Sequence, residues 1–485
     1  MDITFSQLLT YIFWINAVIA IFIIILDNRS PQSSIAWILL ILFFPIIGLI
    51  SFILFGINWK KTKLTKQSPD IIFAKILETI LRNQKYFLSE IATSVSGENE
   101  SGKYKLMSLL LNSNSSILTL NNNCKIFNAG EDFFEDLLKE LKNAKSSIHM
   151  EFFIWTSDRL GEEIKNILIQ KVKEGVEVRL IFDGVGSFGR IAYKYRSELK
   201  HSGVKYKYYL DLVAPFSIIK VNYSNHRKIV VIDGKIAYTG GMNVGSEYIT
   251  GGRRFKTWKD TQIKLMGDSV KLIQTVFLVD WYNSKNELLL DDKYFPNISD
   301  TMPEMQIQIA TSGADSKWDS IQQMYFAMIT NANKEIYIQT PYFVPDQSIM
   351  TALETAALSG ISVNILMTGI PDKRIPFWAA HTYFKPLLKA GVNIFLYKKG
   401  FMHSKIVVAD GHTVSIGSCN FDIRSFHINF EINAIIYDSN IANEMIENFY
   451  NDLRFCETVS KEYLDNIGIL KSFRNSAMRI FSPIM

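Results

Sequence analysis

Cysteine is scarce in this chain: three residues, Cys124, Cys419 and Cys456, in 485 positions. An odd number so widely separated makes no disulfide framework and no C-x-x-C metal knuckle, and it suits a reducing compartment. Surplus charge is equally scarce. The 52 basic and 47 acidic side chains leave a formal charge of +5, too little at this length for nucleic acid to be the main partner. No cluster of Asp, Glu and His has obvious metal-ligand spacing, so neither a metal nor another cofactor is expected. Disorder is excluded as the overall state, because 48% of residues are hydrophobic and only 20% charged, enough apolar mass for several cores.

That apolar mass is unevenly spread. Leu8–Leu26 and Ile35–Phe55 carry no charge over 19 and 21 residues, and a helix of either length reaches across a hydrocarbon core of about 30 Å. Met1-Asp2 and the DNRS that follows the first run lack the basic start and small-residue cleavage site of a signal peptide. Residues 1–61 therefore read as a two-helix transmembrane hairpin with spans at 8–26 and 35–55. Lys60, Lys61, Lys63 and Lys66 follow the second run, against a single basic residue in the connector. The positive-inside rule then gives a two-span protein of the cell membrane whose body faces the cytoplasm. Residues 62–125 read as a polar linker with an amphipathic helix, started by Ser68-Pro69-Asp70 and striped by Ile71, Ile72, Ile76 and Ile80.

Beyond residue 125 the chain repeats itself. AKSSIHMEFFI from Ala144 parallels ANKEIYIQTPYF from Ala332; GVEVRLIFDG from Gly175 parallels GISVNILMTG from Gly360; GVKYKYY from Gly203 parallels GVNIFLY from Gly391. The order is the same and the offset nearly constant. The β-rich runs alternate with helical stretches such as LGEEIKNILIQKVKEG, which indicates two copies of one α/β unit, at 126–300 and 301–485.

A fourth echo is the sharpest. NHRKIVVIDGKIAYTGGMN and MHSKIVVADGHTVSIGSCN both place, after a His, a Lys at +2, an Asp at +7, a Gly at +14 and an Asn at +17. The residues are His226, Lys228, Asp233, Gly240 and Asn243 in one copy, and His403, Lys405, Asp410, Gly417 and Asn420 in the other. IVVID and IVVAD are strand runs and Asp-Gly is a hairpin-turn signal. Side chains two apart on a strand share a face, so each His points with its Lys, while Arg227 and Ser404 point away. The Gly-Gly and Gly-Ser steps would let backbone approach a ligand closely. An imidazole, an ammonium and an amide together make a phosphate site that offsets phosphoryl charge without a metal. Two such half-sites would set two histidines around one phosphorus, one as nucleophile and one as proton donor. The turn position of Asp233 and Asp410 favours a structural role for both.

This pair of motifs resembles the phospholipase D superfamily with its doubled H-K-D signature, from which neither copy departs. RSPQSSIAWILLILFFPIIGLISFILFG, TWKDTQIKLMGDSV, FLVDWY, QTPYFVPD, GFMHSK and GSCNFDIRSFHINFE are similar to segments of the bacterial cardiolipin synthases within it. The resemblance implies an α/β fold of two phospholipase D-like repeats, each a mixed β-sheet flanked by helices, packed with pseudo-two-fold symmetry. It implies transfer of a phosphatidyl group between two phosphatidylglycerol molecules, giving cardiolipin and glycerol. In that chemistry His226 would form a phosphohistidine and His403 would shuttle the proton. The two H-K-D triads, Asp233 and Asp410 included, would form the catalytic set; Lys228, Lys405, Asn243 and Asn420 would bind phosphate oxygens; Glu247 and Glu431 would each orient a histidine.

An apolar pocket facing the bilayer would favour a lipid acceptor over water, and Phe152, Phe153, Tyr342 and Phe343 are candidates to line it. Anionic membrane lipids are the expected partners; nucleic acid is not, and a homo-oligomer is compatible with the sequence. GGRRFKTW, with Arg253, Arg254 and Lys256, reads as a solvated loop, and the basic C-terminal ILKSFRNSAMRIFSPIM as a docked last helix. The rival activity is hydrolysis by a membrane-tethered phospholipase D, which needs the same residues and differs in the acceptor.

Overall fold

A computed structural model describes residues 5–26, 31–52, 56, 82–86, 88, 98–209, 222–296 and 302–480. The helix expected at Ser68–Ile80 lies outside the described residues.

The body is built on strand–helix–strand units. In the first, Ser147–Phe152 and Glu177–Asp183 pair in parallel, with Ile148 opposite Val178. The helix between them, Arg159–Lys173, starts where the Asp158 side chain accepts from Gly161 N at 3.1 Å. That carboxylate satisfies one of the amides a helix start leaves free. Ile164 and Leu168 on its inner face are fully buried. The second copy repeats the arrangement with Glu335–Thr340, Gln347–Leu358 and Ser362–Thr368. Strands such as Lys228–Ile232 and Ile406–Ala409 are buried along their whole length, as expected of a sheet covered on both faces.

Among the described residues all these strands belong to one mixed sheet of 15. Its centre is an antiparallel seam between Thr119–Phe127 and Glu304–Ser312, with Thr119 opposite Ile307. On one side of the seam follow Gln262–Gly267, Ile236–Gly240, Lys228–Ile232, Ser147–Phe152, Glu177–Asp183 and Lys205–Tyr209. On the other follow Glu431–Tyr437, Thr413–Gly417, Ile406–Ala409, Glu335–Thr340, Ser362–Thr368 and Asn393–Tyr397, and then the extra edge strand Cys456–Thr458. The two lists match strand for strand, so the duplicated sequence is a duplicated half-sheet.

Two features differ from expectation. The first half begins at Thr119, inside the stretch read as linker, and Glu98–Asn114 is a helix whose Leu106, Met107, Leu110 and Leu111 join the core of the second half. Gln308 fastens it there by donating to Met107 O at 3.2 Å. The N-terminal helices are Phe5–Leu26, Pro31–Phe43 and Pro45–Ser51. Among the described residues no helix is long and apolar enough to cross a membrane. The second apolar run is broken after Phe44, where Pro45, lacking an N–H, opens a new helix.

Candidate active site

The Asp-Gly steps turn as their chemistry requires. Asp233 and Gly234 have φ of 54° and 64°, and Asp410 and Gly411 have φ of 52° and 64°, the left-handed pair of a type I′ turn. Each aspartate also clamps the start of a neighbouring strand. Asp233 accepts from the backbone N–H groups of Lys145, Ser146 and Ser147, the shortest at 2.6 Å. Asp410 accepts from those of Asn333, Lys334 and Glu335, the shortest at 2.8 Å. Neither Asp233 nor Asp410 lines the cavity described below; each carboxylate holds its turn against the neighbouring strand.

The histidines lie just ahead of their strands rather than within them, where the chain crosses to the other half. His226 N donates to Phe430 O at 2.9 Å, and His403 N donates to Lys259 O at 2.7 Å. Their rings are held the same way. His226 Nδ1 lies 3.0 Å from the Glu431 carboxylate and 3.1 Å from Ser418 O, and Ser418 Oγ donates to that same carboxylate. His403 Nδ1 lies 2.6 Å from Asp260 Oδ2. Each half therefore supplies the acid that orients the other half's imidazole, and leaves Nε2 of each ring for chemistry.

Glu247 does not orient a histidine. Its carboxylate faces Arg190 at 3.5 Å and is partly exposed on the cavity wall. Asp260 takes the expected role, and sequence reasoning missed it. The equivalence is one of packing: Asp260 and Glu431 both immediately follow the backbone carbonyl that receives the opposite histidine. The loop containing GGRRFK makes the path from Asn243 to Asp260 longer, 17 positions against 11 from Asn420 to Glu431.

Behind the rings, Lys228 Nζ donates to His226 O at 2.6 Å and Lys405 Nζ donates to His403 O. Both ammonium groups are buried, so each lysine's pKa falls, Lys228 to about 7 and Lys405 to about 8. Burial also lowers both imidazoles to about 4, with Glu431 and Asp260 pulling in the opposite direction. Burial alone would raise Glu431, but His226 and Lys228 outweigh it and keep that carboxyl below its usual range. Burial thus favours the neutral form of both imidazoles, and each ring turns Nδ1 to an acid. Arg227, pointing away as the strand period requires, pairs with Asp280. Asn225 fixes the same segment, with its amide N–H 2.7 Å from Asp183 Oδ2.

His226, His403, Asn243 and Asn420 line one cavity of about 1170 Å³. Asn243 accepts from Ile154 N at 3.0 Å and donates to Tyr248 OH at 2.8 Å. Asn420 donates to Ser425 Oγ at 3.3 Å, and among the described residues its buried Oδ1 has no partner. Of the four candidate aromatics, Phe153 and Tyr342 reach the cavity, Phe153 with its ring centroid 4.9 Å from that of His226. Phe152 and Phe343 are core residues. Trp258 stands 5.2 Å from the His403 ring. The Gly-Gly and Gly-Ser steps serve packing: a Cβ on Gly241 would sit 2.0 Å from Asp260 Oδ1, and one on Gly417 2.3 Å from Ile432 O. Arg254 of the GGRRFKTW loop donates to Pro371 O at 2.7 Å, tying that loop to the opposite wall.

A family model described as cardiolipin synthase, PLD-like domain, matches residues 137–252 and 325–453, and one described as phospholipase D-nuclease N-terminal matches 15–56. A cardiolipin synthase 2 of Bacillus cereus is 38% identical, with 98% of this chain and 91% of that protein covered. A cardiolipin synthase of Clostridium perfringens is 39% identical, covering 95% and 96%. Among solved structures, a phosphatidylserine synthase of Haemophilus influenzae superposes over 79% of this chain and 100% of that one, with a TM-score of 0.59 at 14% identity. That likeness is one of fold.

Proposed function

The chain belongs to the cardiolipin synthase family of phospholipase D-like enzymes, and from that premise we propose that it joins two phosphatidylglycerol molecules through a phosphohistidine at His226. The observation that carries this reading is the reciprocal one: two imidazoles in a single cavity, each steadied by an acid from the opposite half.

The phosphodiester of the first lipid sits between the two rings, with its charge met by Lys228, Lys405, Asn243 and Asn420. His226 Nε2 attacks phosphorus as the P–O bond to glycerol breaks, giving a P–N bond. The developing imidazolium keeps its Nδ1 proton on Glu431. His403 enters this step protonated, because a bound phosphate anion raises the pKa that burial depresses. It delivers that proton to the glycerol alkoxide, and glycerol leaves. A hydroxyl of the second phosphatidylglycerol takes its place, His403 removes its proton, and the new P–O bond forms as P–N breaks. Protons and charge balance over the cycle, and no cofactor is consumed.

The lipid acceptor is supported by the relatives' activity and by the size of the cavity, which exceeds what one headgroup fills. Membrane attachment is supported by the N-terminal helices. Ala17, Ala20, Ile24, Ile41 and Phe52 pack together, while Ile15, Val18, Phe22, Ile25, Ile46 and Ile50 are turned outward and exposed. A helix pair that is apolar on its outside fits hydrocarbon rather than water. Two spans with the body on the cytoplasmic side therefore complete the proposal. Purified protein given phosphatidylglycerol should release cardiolipin and glycerol in equal amounts; phosphatidic acid as the main product would instead favour the hydrolase.

A further inference from the structure

Outside the catalytic cavity lies a second concavity, of about 610 Å³, between the helix Arg374–Ala390 and the C-terminal segment. His381, Tyr463, Asn466, Lys471, Arg474 and Asn475 face it, and it shares no residue with the catalytic cavity. His381 is fixed there by Phe377 O at 2.8 Å and Tyr463 OH at 3.1 Å. The Arg474 guanidinium lies 4.2 Å over the Trp378 ring and donates to Asn475 Oδ1 at 2.9 Å. Among the described residues no carboxylate pairs with Lys471 or Arg474; the one acid in the lining, Glu457, pairs with Lys398 at 2.7 Å. The concavity is thus built, polar and cationic.

Beside it stands an apolar face. The helix Ile469–Arg479 docks through buried Asn475 and half-buried Met478, yet Ile469, Leu470, Phe473 and, just after it, Ile480 are between 76% and 85% exposed. A soluble phosphate or nucleotide would use the cations and leave these side chains in water. A phospholipid uses both: its headgroup meets Lys471 and Arg474, and its interfacial region meets Ile469, Leu470 and Phe473. The helix Arg374–Ala390 links this place to the chemistry. Arg374 and Ile375 line the catalytic cavity, and His381 follows Arg374 by seven residues, about 10 Å along a helix axis.

We infer that the concavity and its apolar border form a second, non-catalytic site for an anionic phospholipid of the bilayer, seating the body so that the catalytic mouth meets the leaflet. This rests on the reading of the chain as an enzyme of membrane lipids, and the test separates the two. The full chain, carrying a photoreactive benzoylphenylalanine in place of Phe473, is incorporated in vesicles of phosphatidylcholine with or without phosphatidylglycerol. Cardiolipin formation is followed in the same samples. The inference expects cross-linking to phosphatidylglycerol, falling several-fold in the Lys471→Gln, Arg474→Gln double variant at unchanged melting temperature. The variant should also need a higher surface fraction of phosphatidylglycerol for half-maximal rate, with kcat retained. Equal cross-linking to phosphatidylcholine, cross-linking to a second copy of the chain, or none while cardiolipin is still made would overturn the inference and leave the proposed function standing. Loss of cardiolipin formation in unmodified protein would overturn the function instead.

Discussion

A hydrogen bond to one nitrogen of a neutral imidazole fixes which nitrogen attacks and where it points, and here each such tie crosses the molecule. Asp260→Asn and Glu431→Gln should therefore each cost about 10²–10⁴ in kcat, the range seen when the group orienting a catalytic histidine is lost. Glu247→Gln should stay within about threefold, since among the described residues its carboxylate pairs with Arg190 and with neither histidine; initial rates on the three variants check this. The lowered histidine pKa values add a pH signature. A group whose folded pKa lies below its unfolded one holds fewer protons when folded, so stability is full above about 6.5, the ordinary value, and falls as pH drops toward about 4. For the same reason the acid limb of kcat/KM, which reports protonation of His226 in the free enzyme, should break near pH 4 rather than near the usual imidazole value. At this scale the doubled H-x-K was legible from spacing alone. Asp260 was not, because the longer loop before it moved it out of register with Glu431 and left Glu247 as the nearer acid.

At the scale of elements, the two Asp-Gly turns join a left-handed backbone to a clamp on the next strand's amides. Asp410→Ala should unpair three N–H donors and cost about 1–3 kcal/mol, read as a lowered denaturation midpoint at unchanged m-value. Asp410→Asn, which keeps an acceptor and tolerates positive φ, should lose less. The turns, the buried IVV strands and the strand–helix–strand order could all be read from the sequence because each is a local pattern. Two elements could not. Thr119–Phe127 alternates poorly, with a burial pattern interrupted by exposed Leu120 and Asn121, since it owes its place to seam partners on both sides. Glu98–Asn114 is largely polar, and only its docking site reveals why Leu106, Met107, Leu110 and Leu111 are apolar.

The whole molecule is a sheet of two matched halves whose active site exists only at their junction. The duplication announced two copies; it could not announce that each copy's histidine is oriented by the other's acid, because that exchange is a property of packing. The N-terminal helices act at this scale too. Removing residues 1–61 should leave turnover of a micellar short-chain phosphatidylglycerol within a few-fold while sharply lowering turnover of vesicle-borne lipid, as a lost anchor and not a lost site would do. The claim on which the account turns is that His226 and His403 serve a single phosphorus in sequence. The most direct measurement is a rapid acid-free quench of enzyme turning over phosphatidylglycerol, followed by mass spectrometric mapping of the protein. A phosphatidyl adduct on His226, absent from His226→Asn, is the expected result. An adduct on His403, or undiminished cardiolipin formation by His226→Asn, would contradict it.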